Sequence, residues 1–200
     1  SQARQLVYDL SFVFSHSETV NLAEFGYNAE NVWLPQVNIA LFSAMDTGLP
    51  VMIRALPGSI RDVATLIRSI QEINTSRITL ILDRGFVSDQ NEKLLIEEKI
   101  PFILPQRRNS TRYLTRIHLT DHFFYHKRLI HAGKREVEGL TLYLFEDADL
   151  VVEEQKTLYH LFEEGAIDRE TLNQRLKRAG RILILSSIVA EPQEIYELYK

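Results

Sequence analysis

Two aspartates stand in or beside strongly apolar segments, where an unpaired carboxylate is costly to bury. Asp9 lies inside the apolar run LVYDLSFVF, and Asp83 directly follows the apolar run ITLIL. A carboxylate at the carboxyl end of a buried strand points into the crevice where α/β sheets bind their ligands. Two such acids repel each other unless a cation neutralises them, and Mg²⁺ is commonly held by one or two carboxylates together with waters and phosphates. The pattern therefore predicts that Asp9 and Asp83 share a divalent-metal site.

Each of these acids also has an ordinary structural explanation. A strand-terminal Asp often accepts hydrogen bonds in a turn or at a helix cap, and either residue alone fits that role. The presence of both Asp9 and Asp83 in this order of strands favours a shared metal site. Two other aspartates are set aside, because Asp46 belongs to a hairpin turn and Asp62 stands at capping-box spacing from Ser59.

Other chemistries have less support in the sequence. His118, His122 and His126 recur every four residues, as zinc ligands on one helix face would, but the residues between them favour β structure. No HExxH, GxGxxG, P-loop or GxSxG motif is present, so the corresponding zinc, dinucleotide, nucleoside-triphosphate and serine-hydrolase chemistries are unsupported. The absence of cysteine excludes disulfides and thiolate metal sites.

The elements that must position the two acids follow an α/β pattern. Strands are expected at 6–14, 37–45, 49–56, 78–82 and 101–104, with helices after Ser59 and over Asn91–Lys99. The first three strands should form hairpins, and the strands that alternate with helices should run parallel. Farther along, we expect an extended β ribbon at 110–146, helix at 150–177 broken at Gly165, a buried strand at 181–186 and a final helix from Pro192.

The bulk properties are those of one ordinary globular domain of 200 residues, with 45% hydrophobic and 25% charged content. No apolar stretch reaches the ~18 residues that a membrane helix needs, and no signal-peptide pattern is present, so a cytoplasmic setting is expected. The net charge is −4, yet residues 107–135 carry eight basic side chains against one acid. With aromatic residues interleaved, this stretch fits either a phosphate-contacting surface or a solvated face of a hairpin.

Several motifs occur in one order along the chain: the strand-borne Asp of YDLSFVFS, then GYN and LPQVN, then GLPV and PGSIRD, then DRGF. Together they resemble the catalytic core of bacterial insertion-sequence transposases of the DDE class, from Leu6 to Lys200. The resemblance implies a ribonuclease H-like fold, which is a mixed five-stranded sheet flanked by helices, here with a β-ribbon plus helical insertion. It places the first part of the core at 1–109, the insertion at 110–178, and the last strand and final helix of the core at 179–200.

The resemblance also implies a mechanism. Such enzymes use two Asp and one Glu to bind two Mg²⁺ ions, for which Mn²⁺ can substitute, and Asp9 and Asp83 match the two Asp. Two ions ~3.5–4 Å apart would activate the attacking water or 3′-hydroxyl and stabilise the leaving oxygen of a phosphodiester. The implied partners are transposon-end double-stranded DNA and target DNA, bound by a homodimer associated with the bacterial nucleoid. Phosphate contacts are expected from five basic residues: Arg107, Arg108, Arg112, Lys127 and Arg128.

This chain departs from the family pattern at the third acid. In the family, that acid lies in a helical signature that opens with Tyr and continues with Arg, Glu and Lys; Tyr199 matches the opening, whereas Glu194 and Glu197 precede it. We therefore expect this chain to carry two thirds of the catalytic triad and not to cleave or join DNA alone. The alternatives are a non-catalytic DNA- or partner-binding relic of a transposase and another ribonuclease H-like nuclease such as a junction resolvase, which DRGF and PGSIRD disfavour.

Overall fold

The computed structural model describes residues 4–26, 32–59 and 78–200. The chain forms two compact units, the first ending at Phe102 and the second running from Ile103 to Lys200. Strands and helices occur in both, which confirms the α/β class expected from the sequence. The helix expected after Ser59, with Asp62 in its capping box, lies outside the described residues. In the described ranges, no helix is long and apolar enough to cross a membrane.

The sheet of the first unit is built around its longest strand. Its elements are β1 (Arg4–Phe14), β2 (Glu24–Phe25), β3 (Pro35–Ala44), β4 (Pro50–Pro57), β5 (Ile78–Ile81) and helix α1 (Asp89–Glu97). Strand β1 pairs antiparallel with β3 on one edge and parallel with β5 on the other. Both β2 and β4 pair antiparallel with β3. The predicted hairpin and the predicted parallel strand are thereby confirmed.

Strand β3 alternates between the two faces of this sheet. Gln36, Asn38, Ala40, Phe42 and Ala44 are buried, and the residues between them are half-buried. Because successive side chains of a strand point to opposite faces, this alternation places one face of β3 in the core. The short strand β5 is buried along its whole length, as its continuous apolar run predicts.

Residues of the LPQVN and PGSIRD motifs have a structural role in this unit. A Cβ on Gly58 would lie 2.1 Å from the carbonyl oxygen of Gln36 and 2.3 Å from that of Glu24, so only glycine fits there. The Gln36 side chain donates to the Gly58 carbonyl at 3.3 Å and to Asn38 Oδ1 at 3.0 Å. Asn38 donates to the same carbonyl at 3.1 Å. These buried amides thus satisfy one another while holding the chain after β4 against β3.

Turn and cap residues have the roles that the sequence predicts. Gly48 adopts a φ of +66° in the β3–β4 turn, and its N–H donates to the Ala44 carbonyl at 2.8 Å. Ser88 caps α1, because its Oγ accepts from the Asn91 N–H at 3.1 Å. These bonds involve residues three or four apart, so their signals are local in the sequence.

The sheet of the second unit is antiparallel. Its elements are β6 (Phe102–Pro105), which begins at the boundary, β7 (Asp121–Tyr125), β8 (Arg128–Val137), β9 (Leu140–Asp147), α2 (Ala148–Glu163), α3 (Arg169–Leu176), β10 (Arg181–Ser186) and α4 (Pro192–Tyr199). The strand order is β6-β10-β9-β8-β7, and α2 and α4 pack against β8 and β9. The predicted ribbon is confirmed from Asp121 onward, whereas Thr111–Leu114 forms a 3-10 turn. The return strand and the helix break at Gly165, whose φ is +72°, are confirmed.

The return strand shares its sheet with the ribbon. β10 pairs with β9 along its full length, from Arg181 opposite Glu146 to Ser186 opposite Thr141. The division of the chain at residues 110 and 178 into core and insertion stays a prediction, and the compact units divide instead at residues 102 and 103.

Candidate metal site and basic residues

Asp9 and Asp83 both follow the last pair of the parallel β1–β5 ladder, Asp9 within β1 and Asp83 just beyond the end of β5. The last pair of the β1–β5 ladder is Val7 with Ile81, and each aspartate follows its strand's member of that pair by two residues. Neighbouring strands lie about 4.8 Å apart. The register therefore brings both carboxylates to the carboxyl end of the ladder, where the sequence places a shared site.

Asp9 is exposed. Its neighbours Leu6 and Tyr8 are buried, with relative exposures of 0% and 3%. The expectation that this acid pays a burial penalty inside an apolar strand is wrong, because the alternation of side chains along β1 directs Tyr8 into the core and Asp9 to the opposite face. The carboxylate is consequently open to an ion and a substrate from solvent.

Asp83 combines exposure with a cap role. Its backbone is extended, with φ −82° and ψ 163°, and its Oδ1 accepts a hydrogen bond from the Arg84 N–H at 2.6 Å. This bond caps a single 3-10 turn at Arg84–Phe86. The Phe86 ring lies 4.9 Å, centroid to centroid, from Tyr8 of β1. That packing ties the segment after Asp83 to the strand that carries Asp9.

The donor chemistry of this pair fits a hard divalent cation. Carboxylate oxygens are the ligands that Mg²⁺ and Mn²⁺ prefer, and Mg²⁺ keeps several waters when proteins supply few ligands. In the part of the chain that the structure describes, no group of three or more His, Asp or Glu side chains is placed to hold a metal. Two exposed carboxylates would therefore leave most coordination positions to waters and phosphate oxygens.

Arg84 was not singled out from the sequence. It follows Asp83 directly, its side chain is half-buried, and its Nε has no hydrogen-bond partner within the described ranges. A buried guanidinium N–H without an acceptor costs free energy. The signal for this residue is its place in DRGF, but the orphaned donor is visible only in the fold.

Two of the five basic residues expected to contact phosphates are held by carboxylates of the protein. Arg108 Nη1 and Nη2 lie 2.5 and 2.6 Å from the two carboxylate oxygens of Glu154. This hydrogen bonding raises the pKa of Arg108 above its ordinary value, although burial acts in the opposite direction. Arg128 Nε lies 2.9 Å from Asp147 Oδ2 without an aligned hydrogen bond, so the contact is an ion pair.

Of the other three basic residues, two are exposed. Arg112 is half-buried and donates to the neutral side chain of Gln106 at 2.9 Å. Arg107 and Lys127 are exposed, and Lys127 occupies the turn between β7 and β8 with a φ of +67°. A phosphate-contacting role stays a prediction for all five residues, and exposure favours Arg107 and Lys127.

The regularly spaced histidines do not share a helix face. His118 precedes β7, His122 lies in β7, and His126 is in the following turn with a φ of +45°. The β character of the residues between them predicts this scatter. Asp46 is an exposed residue of the β3–β4 turn, the place assigned to it from the sequence.

No family model matches the chain, and no curated protein matches it. Among solved structures, it is similar to a chain of the Drosophila P element transposase strand transfer complex, with a TM-score of 0.27 and 19% sequence identity. The match covers 49% of this chain and 21% of that chain, so this chain spans about a fifth of the neighbour's length. A similarity of this extent does not establish a family or a function.

Proposed function

We propose that this chain is part of the catalytic domain of a DDE-type transposase, which cleaves and transfers DNA strands at transposon ends with a divalent metal. The observation that carries the proposal is that Asp9 and Asp83 each lie two residues beyond the last pair of the parallel β1–β5 ladder. The strand arrangement β4-β3-β1-β5, with β5 parallel to β1, is compatible with a ribonuclease H-like fold.

The residues of the site have separate tasks in this proposal. Asp9 and Asp83 supply carboxylate ligands for Mg²⁺, and the Arg84 N–H orients Asp83 through its hydrogen bond to Oδ1. A bound metal would activate the attacking water or hydroxyl and stabilise charge on the leaving oxygen. The Arg84 side chain adds positive charge to the segment that directly follows Asp83.

DNA is the proposed partner, both as transposon end and as target, and a homodimer is the proposed assembly on it. Arg107 and Lys127 are the exposed members of the predicted phosphate-contacting set. Contacts of this kind position a duplex without reading its sequence. Their loss should therefore weaken binding to all DNA sequences alike and flatten its salt dependence.

A Mn²⁺ titration followed by electron paramagnetic resonance tests the proposal. Asp9→Asn and Asp83→Asn each remove a charged ligand with little change in shape, and Asp46→Asn is the matched control in an exposed turn. We expect the control to bind Mn²⁺ as the unmodified chain does, and each site variant to bind at least about tenfold more weakly. Equal Mn²⁺ affinity in all four proteins would refute the shared site.

The same titration separates the transposase from its alternative, a nucleic-acid-binding module without chemistry. The alternative draws its support from the basic side chains of the second unit, which need no metal. It predicts DNA binding that depends on Arg107 and Lys127, together with Mn²⁺ binding that does not depend on Asp9 or Asp83.

A further inference from the structure

A basic cavity in the second unit carries charge that the proposed metal site does not use. Its volume is about 650 Å³, within the range of small-ligand sites, which is roughly 300–1,000 Å³. Of the described residues that line it, none is acidic. Five are cationic: Arg112, Arg116, Lys177, Arg178 and Arg181. Like charges gathered around one cavity repel each other, which favours the binding of an anion there.

Two of these cations have partners inside the protein that differ in charge. Arg181 Nε lies 2.6 Å from a carboxylate oxygen of Glu146, which neutralises one of the five. The Arg178 guanidinium donates to the Arg108 carbonyl, which carries no net charge, and lies 5.5 Å from the centre of the Tyr113 ring. Neither partner cancels the charge of Arg178.

The two exposed cations of the cavity are Arg116 and Lys177. Lys177 is the C-cap of α3, where the helix dipole favours a positive charge. The dipole does not account for Arg116, which lies between the 3-10 turn at Thr111–Leu114 and β7, or for Arg181, at the start of β10. Cations from three separate segments thus converge on one space, which indicates a site for an anion.

The lining of the cavity indicates what kind of anion fits. Arg guanidinium groups match the oxygens of phosphate in pairs, and several cations together favour a ligand with more than one negative charge. The remaining lining is partly apolar, with Leu144, Leu183 and the Tyr113 ring. An apolar wall suits the sugar or base that accompanies a phosphate in a nucleotide.

We propose that this cavity binds the phosphate of a nucleotide unit, presented either by a nucleic-acid strand or by a free nucleotide. The site contains neither Asp9 nor Asp83 and needs no metal. Among the basic residues predicted from the sequence to contact phosphates, it includes Arg112, and it adds four that were not in that set: Arg116, Lys177, Arg178 and Arg181.

The test measures binding by the whole 200-residue chain in EDTA, so that the proposed metal site cannot contribute. Fluorescence anisotropy follows fluorescein-labelled single- and double-stranded 20-mers between 50 and 200 mM NaCl. Inorganic phosphate and dAMP serve as competitors. The test variant is Arg116→Gln with Lys177→Gln, both exposed positions whose change should leave folding intact. The control is Lys93→Gln with Lys156→Gln, also exposed, which removes the same charge outside the cavity.

We expect the cavity variant to bind DNA about tenfold more weakly and the control to bind as the unmodified chain does. On duplex DNA, the slope of log K against log salt should become shallower by about 1.8, or about 0.9 for each lost contact. If millimolar dAMP or phosphate displaces the 20-mer from the unmodified chain but not from the cavity variant, the site binds a free phosphorylated ligand. If binding depends on the cavity but neither competitor displaces the 20-mer, the site binds the polymer. Unchanged binding in the cavity variant, or an equal loss in both double variants, would overturn the proposal.

Discussion

Arg108 and Glu154 form a two-point ion pair that joins the segment before the second unit's 3-10 turn to helix α2. The two guanidinium nitrogens lie 2.5 and 2.6 Å from the two carboxylate oxygens. Glu154 Oε2 also accepts the Gly180 N–H at 2.8 Å. The Glu154 carboxylate therefore joins α2 to the segments that carry Arg108 and Gly180. The charge of Arg108 is paired within the protein.

This pairing predicts that Arg108→Gln lowers the free energy of unfolding by about 1 kcal/mol, because it leaves a half-buried Glu154 without its charged partner. Arg107→Gln, at an exposed neighbouring position, should change it by less than about 0.5 kcal/mol. Urea denaturation of the two variants measures the difference. Equal stabilities would show that the ion pair contributes nothing to folding.

Gly58→Ala should destabilise the first unit by at least about 2 kcal/mol, since the added methyl would meet the backbone carbonyls of Gln36 and Glu24 within 2.3 Å. Backbone atoms cannot swing aside as a flexible side chain can. Thermal or urea unfolding measures the loss. The matched control is Gly85→Ala, where the nearest neighbour of the new methyl is Asp83 Oδ2 at an ordinary 3.8 Å. A stability loss in the control as large as at Gly58 would contradict this packing.

Tyr196 should make stability depend on pH in the alkaline range. Burial, followed by the negative charge of Asp147, raises the pKa of Tyr196 to about 12, from an ordinary value of about 10. Between these values the folded chain keeps a proton that the unfolded chain has lost. The stabilisation is therefore complete below pH ~10 and declines as the pH rises toward 12, by at most about 2–3 kcal/mol.

The measurement for Tyr196 is urea denaturation at several pH values from about 9 to 12, compared with Tyr196→Phe. The substitution keeps the ring that packs on Phe145, with centroids 5.0 Å apart, and removes the titrating hydroxyl. The unfolding free energy of Tyr196→Phe should not show the decrease between pH ~10 and 12 that the Tyr196 hydroxyl causes. Parallel pH profiles for the two proteins would mean that Tyr196 titrates alike in the folded and unfolded states.

The parts of the fold that were predictable from sequence depend on short-range signals. The turn at Gly48, the cap at Ser88 and the helix break at Gly165 each involve residues within a few positions of one another. The parallel pairing of β1 and β5 was also expected, because strands that alternate with helices usually run parallel.

The electrostatic environment of individual side chains was less predictable. The apolar neighbours of Asp9 suggested burial, yet the face on which a strand residue lies depends on what covers that face. The ion pair between Arg108 and Glu154 spans 46 positions, and the basic cavity gathers residues from Arg112 to Arg181. Pairings over such separations are set by the tertiary fold, so composition alone could mark the stretch as basic but could not say which cations remain accessible.

Crystals of the chain soaked in Mn²⁺ would show whether Asp9 and Asp83 hold one divalent metal. We expect an anomalous-difference peak between the two carboxylates, with oxygens of both residues about 2.1 Å from the metal. The contradicting result is carboxyl groups more than about 8 Å apart with no peak between them, because one coordination shell could not join them.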